Sequence, residues 1–485
     1  MTTTQYPRRW LALMVLAIAQ LMVVLDVTIV NIALPQAQQD LGISDADRQW
    51  VVTAYTLAFG GLLLLGGRVA DYWGRKRAFI VGSIGFAIAS ALGGVAQTGE
   101  LLFAARALQG VFGALLAPAG LALLTVLFTE AKERAKAFAV YGAIAGGGAA
   151  VGLLLGGALT EYADWRWCLL VNVPFALLAV VLAVPLVPES KAQGNTRYDV
   201  PGAVTATLGL VSLVYGFTQA AEPGKGWGSW EARGFILAGL ALLAVFVFIE
   251  MKSSHPLLPL RILFNRTRGG SYLASMLIGA AMFGSFFFLT YYFQIVLQYT
   301  PLEAGMASLP VTAGVFIAAG LASNLVPRFG SKPLMVVGAV LASAGMLLLT
   351  RIEVTSSFGS TVLPGELILG LGMGFVFVPL SNLALVGVPE HDAGAASATL
   401  NATQQVGGSL GVALLNTFYT TAVTGYVASH LPPTPLVAAE GLVHGSKVVF
   451  AWSAGMMVIA AIVAAIVINA RKSDLPTGPA AVHVG

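Results

Sequence analysis

Apolar residues fall along this chain in long runs, broken at regular intervals by short polar segments that hold most of the charge. A helix rises about 1.5 Å per residue, so crossing a hydrocarbon layer about 30 Å thick takes about 20 mainly apolar positions. Fourteen runs meet that requirement, from Trp10–Leu34 at one end to Val448–Ala470 at the other. The pattern predicts an all-α integral membrane protein with fourteen spans and no room for a sizeable domain outside the membrane. The first run is too long for the apolar stretch of a cleavable signal, and thirteen more follow it.

The polar segments predict an orientation. With a cytoplasmic N-terminus, nineteen of the 26 Lys and Arg fall on cytoplasmic segments, among them Arg75, Lys76, Arg77, Arg197, Arg261, Arg471 and Lys472. Six fall outside (Arg48, Arg166, Lys225, Arg233, Arg351 and Lys447), and Arg106 lies within the fourth run. The excess of inner positive charge predicts that both termini are cytoplasmic, and the membrane is expected to be the cell's inner (plasma) membrane. Composition agrees, with 57% hydrophobic residues and 10% charged, against about 25% charged in a soluble protein. That excludes a soluble enzyme, and a hydrophobic bias this strong also excludes disorder. Cys168 is the single cysteine, no Cys/His spacing suits a metal, and a net charge of +4 is too small and scattered for a nucleic-acid face. The expected surroundings are membrane lipid, with no nucleic acid and no obligate protein partner.

An internal repeat adds organisation. Asp71-Tyr-Trp-Gly74-Arg-Lys is echoed by Pro327-Arg-Phe-Gly330-Ser-Lys at an offset of 256, Gly152 pairs with Gly411 at 259, and Pro118 with Pro379 at 261. Offsets that agree this closely predict two six-helix bundles, residues 1–190 and 261–485, with a two-helix insert at 191–260. Repeated bundles of this kind move solutes by rocking about a site near the midplane.

Charges within the runs mark that site. A charge at the bilayer centre costs about 2.5–3.5 kcal/mol on insertion scales, so Asp26 and Arg106 need a reason to be there. Asp26 lies nine residues before Pro35 on the first run and Arg106 five residues into the oppositely directed fourth. Their depths suit a contact through a water-filled cavity. Either Asp26 binds a proton and substrate in turn, with Arg106 modulating it, or the two form a permanent ion pair. Asn31 and Thr28 are expected beside Asp26 in the same cavity, or in interhelical hydrogen bonds. Asn401, Gln404, Gln405 and Ser409 form an uncharged polar patch on the thirteenth run, where Asn401 and Gln405 share a face. The ninth run crowds Phe283, Phe286, Phe287, Phe288, Tyr291, Tyr292 and Phe293 beside Gln294. Tyr291 and Gln294 are its candidate cavity residues, and most of the remaining aromatics are packing or lipid-facing. Gly148, Gly152 and Gly156 repeat every fourth residue on the fifth run, a face for close helix approach that serves either sliding or static packing. The segment Gly67-Arg-Val-Ala-Asp71-Tyr-Trp-Gly74-Arg75-Lys76-Arg77 joins the second and third runs. Its bases are topogenic, whereas Gly67, Asp71, Gly74 and Arg75 suit a gate in which an acid holds helix ends together.

These motifs resemble the major facilitator superfamily, and within it the fourteen-helix drug:proton antiporters. Gly67 to Arg77 is similar to that superfamily's signature loop. Leu25-Asp26-Val-Thr-Ile-Val-Asn31-Ile-Ala-Leu-Pro35 is similar to the first-helix motif, and Arg106-Ala-Leu-Gln109-Gly110 to the fourth-helix motif whose arginine is implicated in proton coupling. The glycine run ending Gly152-Leu153-Leu-Leu-Gly156-Gly157 is similar to the fifth-helix antiporter motif, with Leu153 where that motif has proline. Trp165-Arg166-Trp167 and Asn172-Val-Pro174 match the segment that follows it. The resemblance implies a major-facilitator-type fold and proton-coupled export of an amphiphilic drug or antibiotic. Protons and a small amphiphilic substrate are the partners, and the proton motive force stands in place of a cofactor. Glu222 and Glu366 lie near outer helix ends, so few coupled protons are expected. A proton symporter or uniporter for a small metabolite is the rival reading. A membrane enzyme would need clustered catalytic groups, whereas the five histidines (His255, His391, His430, His444, His483) sit in loops or a tail.

Overall fold

The computed structural model describes residues 6–192, 199–253, 256–258, 263–388, 393–430, 432 and 434–470. The expected boundary at 260–261, Arg197, Arg261, Arg471, Lys472, His255, His391 and His483 lie outside the described residues. Fourteen long helical spans follow one another among them. The first six are Arg9–Leu41, Trp50–Trp73, Arg75–Gly94, Gly99–Leu127, Ala131–Tyr162 and Trp167–Leu186. Spans 7 and 8 are Val200–Ala221 and Trp230–Lys252. The last six are Arg266–Val296, Pro301–Phe329, Ser331–Leu349, Phe358–Ala384, Ala393–Ser429 and Pro435–Ile466. Thirteen of these are long and apolar enough to cross a membrane. The exception is span 13, at 37 residues the longest.

Several helices outrun the apolar stretches that announce them, because polar residues beyond the hydrocarbon end the hydrophobic run but not the backbone hydrogen bonding. Span 1 was expected to stop at Leu34, yet it continues through Pro35 to Leu41 and ends at Gly42, a left-handed residue (φ 62°) whose N–H returns to the Gln38 carbonyl. Span 14 starts at Pro435 rather than Val448, its first turn capped by the Thr434 side chain.

The packing repeats. In the first six spans, 2 lies against 4, 3 against 4, 1 against 5, and 6 against 1 and 3. In the last six, 10 lies against 12, 11 against 12, 9 against 13, and 14 against 9 and 11. This is the same set of pairs displaced by eight spans, two six-helix bundles with one architecture. The bundles meet along two seams, span 2 against span 13 and span 5 against span 10. Spans 7 and 8 pack on each other, and span 7 lies outside the first seam, touching spans 2 and 13. One end of the molecule carries the span 1–2 connection and is called here the Arg48 face; the other, with the span 2–3 connection, is the Arg75 face.

Candidate transport site

Asp26 and Arg106 meet directly. Arg106 Nη1 donates to Asp26 Oδ2 at 2.6 Å, with the two residues 1% and 0% exposed. The long arginine stem closes the difference in depth, so the gap expected between them is replaced by a direct, buried contact. The other carboxylate oxygen, Oδ1, accepts from Gln109 Nε2 (2.9 Å) and Asn172 Nδ2 (2.8 Å). Both amides also donate to Ser90 Oγ, which in turn donates to the Leu169 carbonyl. Arg106 also donates from Nε to the Val51 carbonyl (2.9 Å) and from Nη1 to Gln109 Oε1 (2.8 Å), and its guanidinium lies 4.6 Å from the centre of the Tyr55 ring. Spans 1, 2, 3, 4 and 6 thus converge on one carboxylate. Gln109 was legible as the residue one turn on from Arg106, whereas Ser90 and Asn172 carry no signal beyond being polar positions in apolar runs.

The neighbours expected beside Asp26 do not share its side of span 1. Residues two and five apart are about 160° and 140° apart around a helix of 3.6 residues per turn. Thr28 accordingly turns to span 5, its hydroxyl bonded to the Val24 and Leu25 carbonyls. Asn31 turns toward the other bundle, on the stripe that carries Gln38 two turns later; Gln38 Oε1 accepts from Tyr291 of span 9. Asn31 Nδ2 is tied to the Val27 carbonyl, while its Oδ1 is buried with no partner. Across the seam, Gln405 Oε1 is likewise buried and unpartnered, and its Cβ packs so tightly on Gly60 that a β-carbon there would come within 2.9 Å. Asn401, one turn away, is partly exposed. Two orphan amide acceptors on the surfaces between the bundles are places where a ligand's donors would be satisfied.

Toward the Arg48 face the bundles are closed on each other. Thr56 and Ser409 share a hydrogen bond of 2.5 Å, Gln294 donates to the Ile32 carbonyl (2.9 Å), and Asn416 donates to the Asp45 carbonyl (3.0 Å). Arg48, fully buried, projects from the first bundle into a cage on the second. Its guanidinium carbon is 4.0 Å from the Tyr291 ring centre, 4.8 Å from Tyr419, 5.6 Å from Phe288 and 5.9 Å from Phe287, and Nε donates to Asn416 Oδ1. Tyr291 and Gln294 therefore serve in this closure. Nothing in the sequence separates Arg48 from the other outer charges; only the tertiary fold does.

The glycine stripe lies against span 1. A β-carbon at Gly148 would meet Leu21 (3.1 Å), at Gly152 the Thr28 hydroxyl, and at Gly156 Ile29 (2.7 Å). Gly157, on the opposite side, faces span 10, with Leu302 Cα at 2.6 Å, and the Leu153 carbonyl packs on Gly305 in the same seam.

At the Arg75 face, Arg75 Nη2 pairs with Asp71 at 2.7 Å. Gly74 holds φ 129°, and a β-carbon there would strike the Glu189 carboxylate. Glu189 accepts from the Lys76 backbone N–H and pairs with Arg77 at 3.7 Å, while the Arg75 N–H donates to the Ser190 carbonyl. The connection is docked on the segment after span 6, and Glu189 is a participant that the motif does not contain. Gly67 makes only an ordinary contact with Pro118; it is Gly66 whose β-carbon would collide with the Ala114 carbonyl of span 4.

Residues 16–412 match the family model of the Major Facilitator Superfamily. The chain is 50% identical over 481 residues to the puromycin resistance protein pur8 of Streptomyces alboniger, covering 98% of this chain and 95% of that protein. It is 36% identical to the cephamycin export protein CmcT of Amycolatopsis lactamdurans (98% and 95% covered), and 35% identical to the multidrug efflux pump LfrA of Mycolicibacterium smegmatis (86% and 82%). Among solved structures, a bacterial homolog of the human lysosomal transporter Spinster in an inward-facing, occupied conformation superposes with a TM-score of 0.66 at 15% identity, over 97% of this chain and 99% of that one. With the paired six-helix bundles and their seams, these similarities establish that the chain belongs to the Major Facilitator Superfamily and is a multi-pass membrane transporter, not an enzyme.

Proposed function

We propose that this transporter exports an amphiphilic antibiotic or drug across the plasma membrane in exchange for protons, with the Arg75 face and both termini cytoplasmic. The observation that carries the reading is the single buried acid of the first bundle, Asp26, held by a cation and two amides where five spans converge. Proton arrival at Asp26 removes the charge that holds Arg106, so spans 1 and 4 lose their strongest link. Arg106 keeps the Val51 carbonyl and Gln109 as partners, so its charge stays solvated by protein while the acid is neutral. Span 1 also carries Asn31 on the surface facing the second bundle, so a change at Asp26 is passed along one helix to the place where Asn31 and Gln405 present free acceptors. The Arg48 face is shut by the cage, which leaves substrate to enter from the Arg75 side. The names of the relatives, three of which concern resistance to or export of antibiotics and drugs, support the direction and the substrate class. The metabolite importer has no such support.

The test is exchange in proteoliposomes. An imposed proton gradient is expected to drive accumulation of puromycin or ethidium against its own gradient, and substrate movement to release protons to the other side. Asp26→Asn is expected to abolish both while the protein remains folded by thermal unfolding in detergent. Undiminished exchange in Asp26→Asn, or gradient-driven movement of either compound in the direction of the protons, would overturn the reading.

A further inference from the structure

The second bundle contains a buried acid of its own. Glu366 lies in the first helical turn of Leu363–Ala384, in span 12. It is 0% exposed, and neither carboxylate oxygen has a hydrogen-bond partner. Span 12 is the repeat of span 4, and Glu366 stands 260 positions after Arg106, within the 256–261 offsets of the repeat. The first bundle thus holds a base at this place, matched to Asp26, while the second holds an acid with no base. Spans 9, 10, 11 and 13 pack against span 12, and among the described residues none of them supplies a hydrogen-bond partner to the Glu366 carboxylate. Among the titratable groups at this end of the bundle, Tyr299 is half-buried and stacked on Phe293. The Tyr292 hydroxyl donates to the Glu353 carbonyl at 2.8 Å, and Arg351 and Glu353 are exposed in the connection before span 12. Around this end the bundle is apolar, with Met346, Leu349, Val362 and Leu369 in its core.

An ionised carboxylate sealed in such a place without a partner is costly. Span 9 ends in a π-turn, Tyr292–Val296, and span 12 begins in another, Phe358–Val362. Phe293 of the first packs on Phe358 of the second at 6.2 Å. Such irregular turns often mark functional positions, and the Arg48 cage hangs on Tyr291, the residue before the first of them.

We propose that Glu366 is a second proton-binding site whose occupancy is tied to the Arg48 face. Its proton is bound and sealed in while that face is closed, and it exchanges with the solution when the face opens. This rests on the exchange reading above for its place in the cycle. The sign follows from linkage: the closed form binds one more proton than the open form, so raising the pH favours opening. Across the pH range in which the open form has released this proton, each pH unit changes the closed-to-open ratio about tenfold.

Spin labels at Ser44→Cys and Ser429→Cys, both exposed on the Arg48 face, in a Cys168→Ser chain, report opening as a longer distance by electron resonance. The background also carries Asp26→Asn, so that the first acid contributes no titration. In this chain the long-distance population is expected to rise with pH. With Glu366→Gln added, which keeps the shape of the neutral acid, it is expected to stay at its low-pH value throughout. An unchanged pH response in Glu366→Gln, or none in the parent, would overturn the proposal. A second readout needs no variant at position 366: infrared spectra of the labelled parent should show the C=O stretch of an un-ionised carboxylic acid at a pH where solution carboxyls are ionised, and its absence would also overturn the proposal. Should proteoliposomes of the natural chain show no proton exchange at all, the exporter reading fails while these outcomes remain readable on their own.

Discussion

Asp26 and Arg106 stand out in the sequence because charges are rare in apolar runs, but the sequence states their presence and not their company. Phase was the missing element: Asp26, Thr28 and Asn31 are close in number and point to three different neighbours, which only the helix period resolves. Gln109 was readable by the same period, Asn172 and Ser90 only from the fold. The density of this cluster sets up a prediction about stability and function together. Arg106→Ala strands a buried carboxylate without its cation, a change that costs about 3–5 kcal/mol in buried pairs. A marked fall in thermal unfolding temperature is therefore expected. Asp26→Asn added to it removes the stranded charge and should recover most of that stability, yet transport should stay at background. Recovery of proton-driven export in the double variant would make the pair a structural fastener only.

Among the helical elements, the apolar runs predicted all fourteen spans, and the discrepancies lie at their ends, where Pro35 was read as a stop and the 424–447 stretch as a loop. Proline inside span 1 was tolerated because neighbouring helices hold the segment in place. The glycine repeat of span 5 was likewise legible as a close-packing face, though which helix it meets was not. The structure puts Gly148, Gly152 and Gly156 against span 1 and Gly157 against the other bundle. Gly152→Ala places a methyl on the Thr28 hydroxyl, an overpacking expected to cost about 1–3 kcal/mol. Thr28→Ala removes that hydroxyl and should restore part of the loss, since the Thr28 β-carbon remains at 3.1 Å from the new methyl. Thermal unfolding of the two single variants and the double variant checks the pair: if the losses simply add, the two residues are not in contact.

For the molecule as a whole, the offset near 260 foretold two bundles of one design, and the matched helix pairs follow from it, but a repeat says nothing about how the bundles are fastened to each other. That depends on differences between them. Arg48 belongs to one bundle and its aromatic cage to the other, so the contact exists only while the Arg48 face is shut. The cation is fully buried, whereas its acid, Asp45, is 62% exposed at 3.3 Å. An ion pair so open to solvent contributes little, which leaves the ring faces as the main fastening. Desolvated cation–π contacts contribute about 2 kcal/mol or more, and about 1.4 kcal/mol changes a two-state ratio tenfold. Arg48→Gln, which retains a donor for Asn416 but no cation, is therefore expected to raise the open population at this face about tenfold or more, read by the same Ser44–Ser429 spin-label pair. Arg48→Lys keeps the charge and gives up the planar stacking, so it should fall between. If substrate loads from the Arg75 side, as the proposed exchange requires, closing precedes reloading, and both variants should slow turnover of the natural substrate more than they weaken its binding. An open population unchanged in Arg48→Gln would mean that the seams themselves, through Gly157 against Leu302 and Thr56 against Ser409, hold the face shut and that the cage is only a lining.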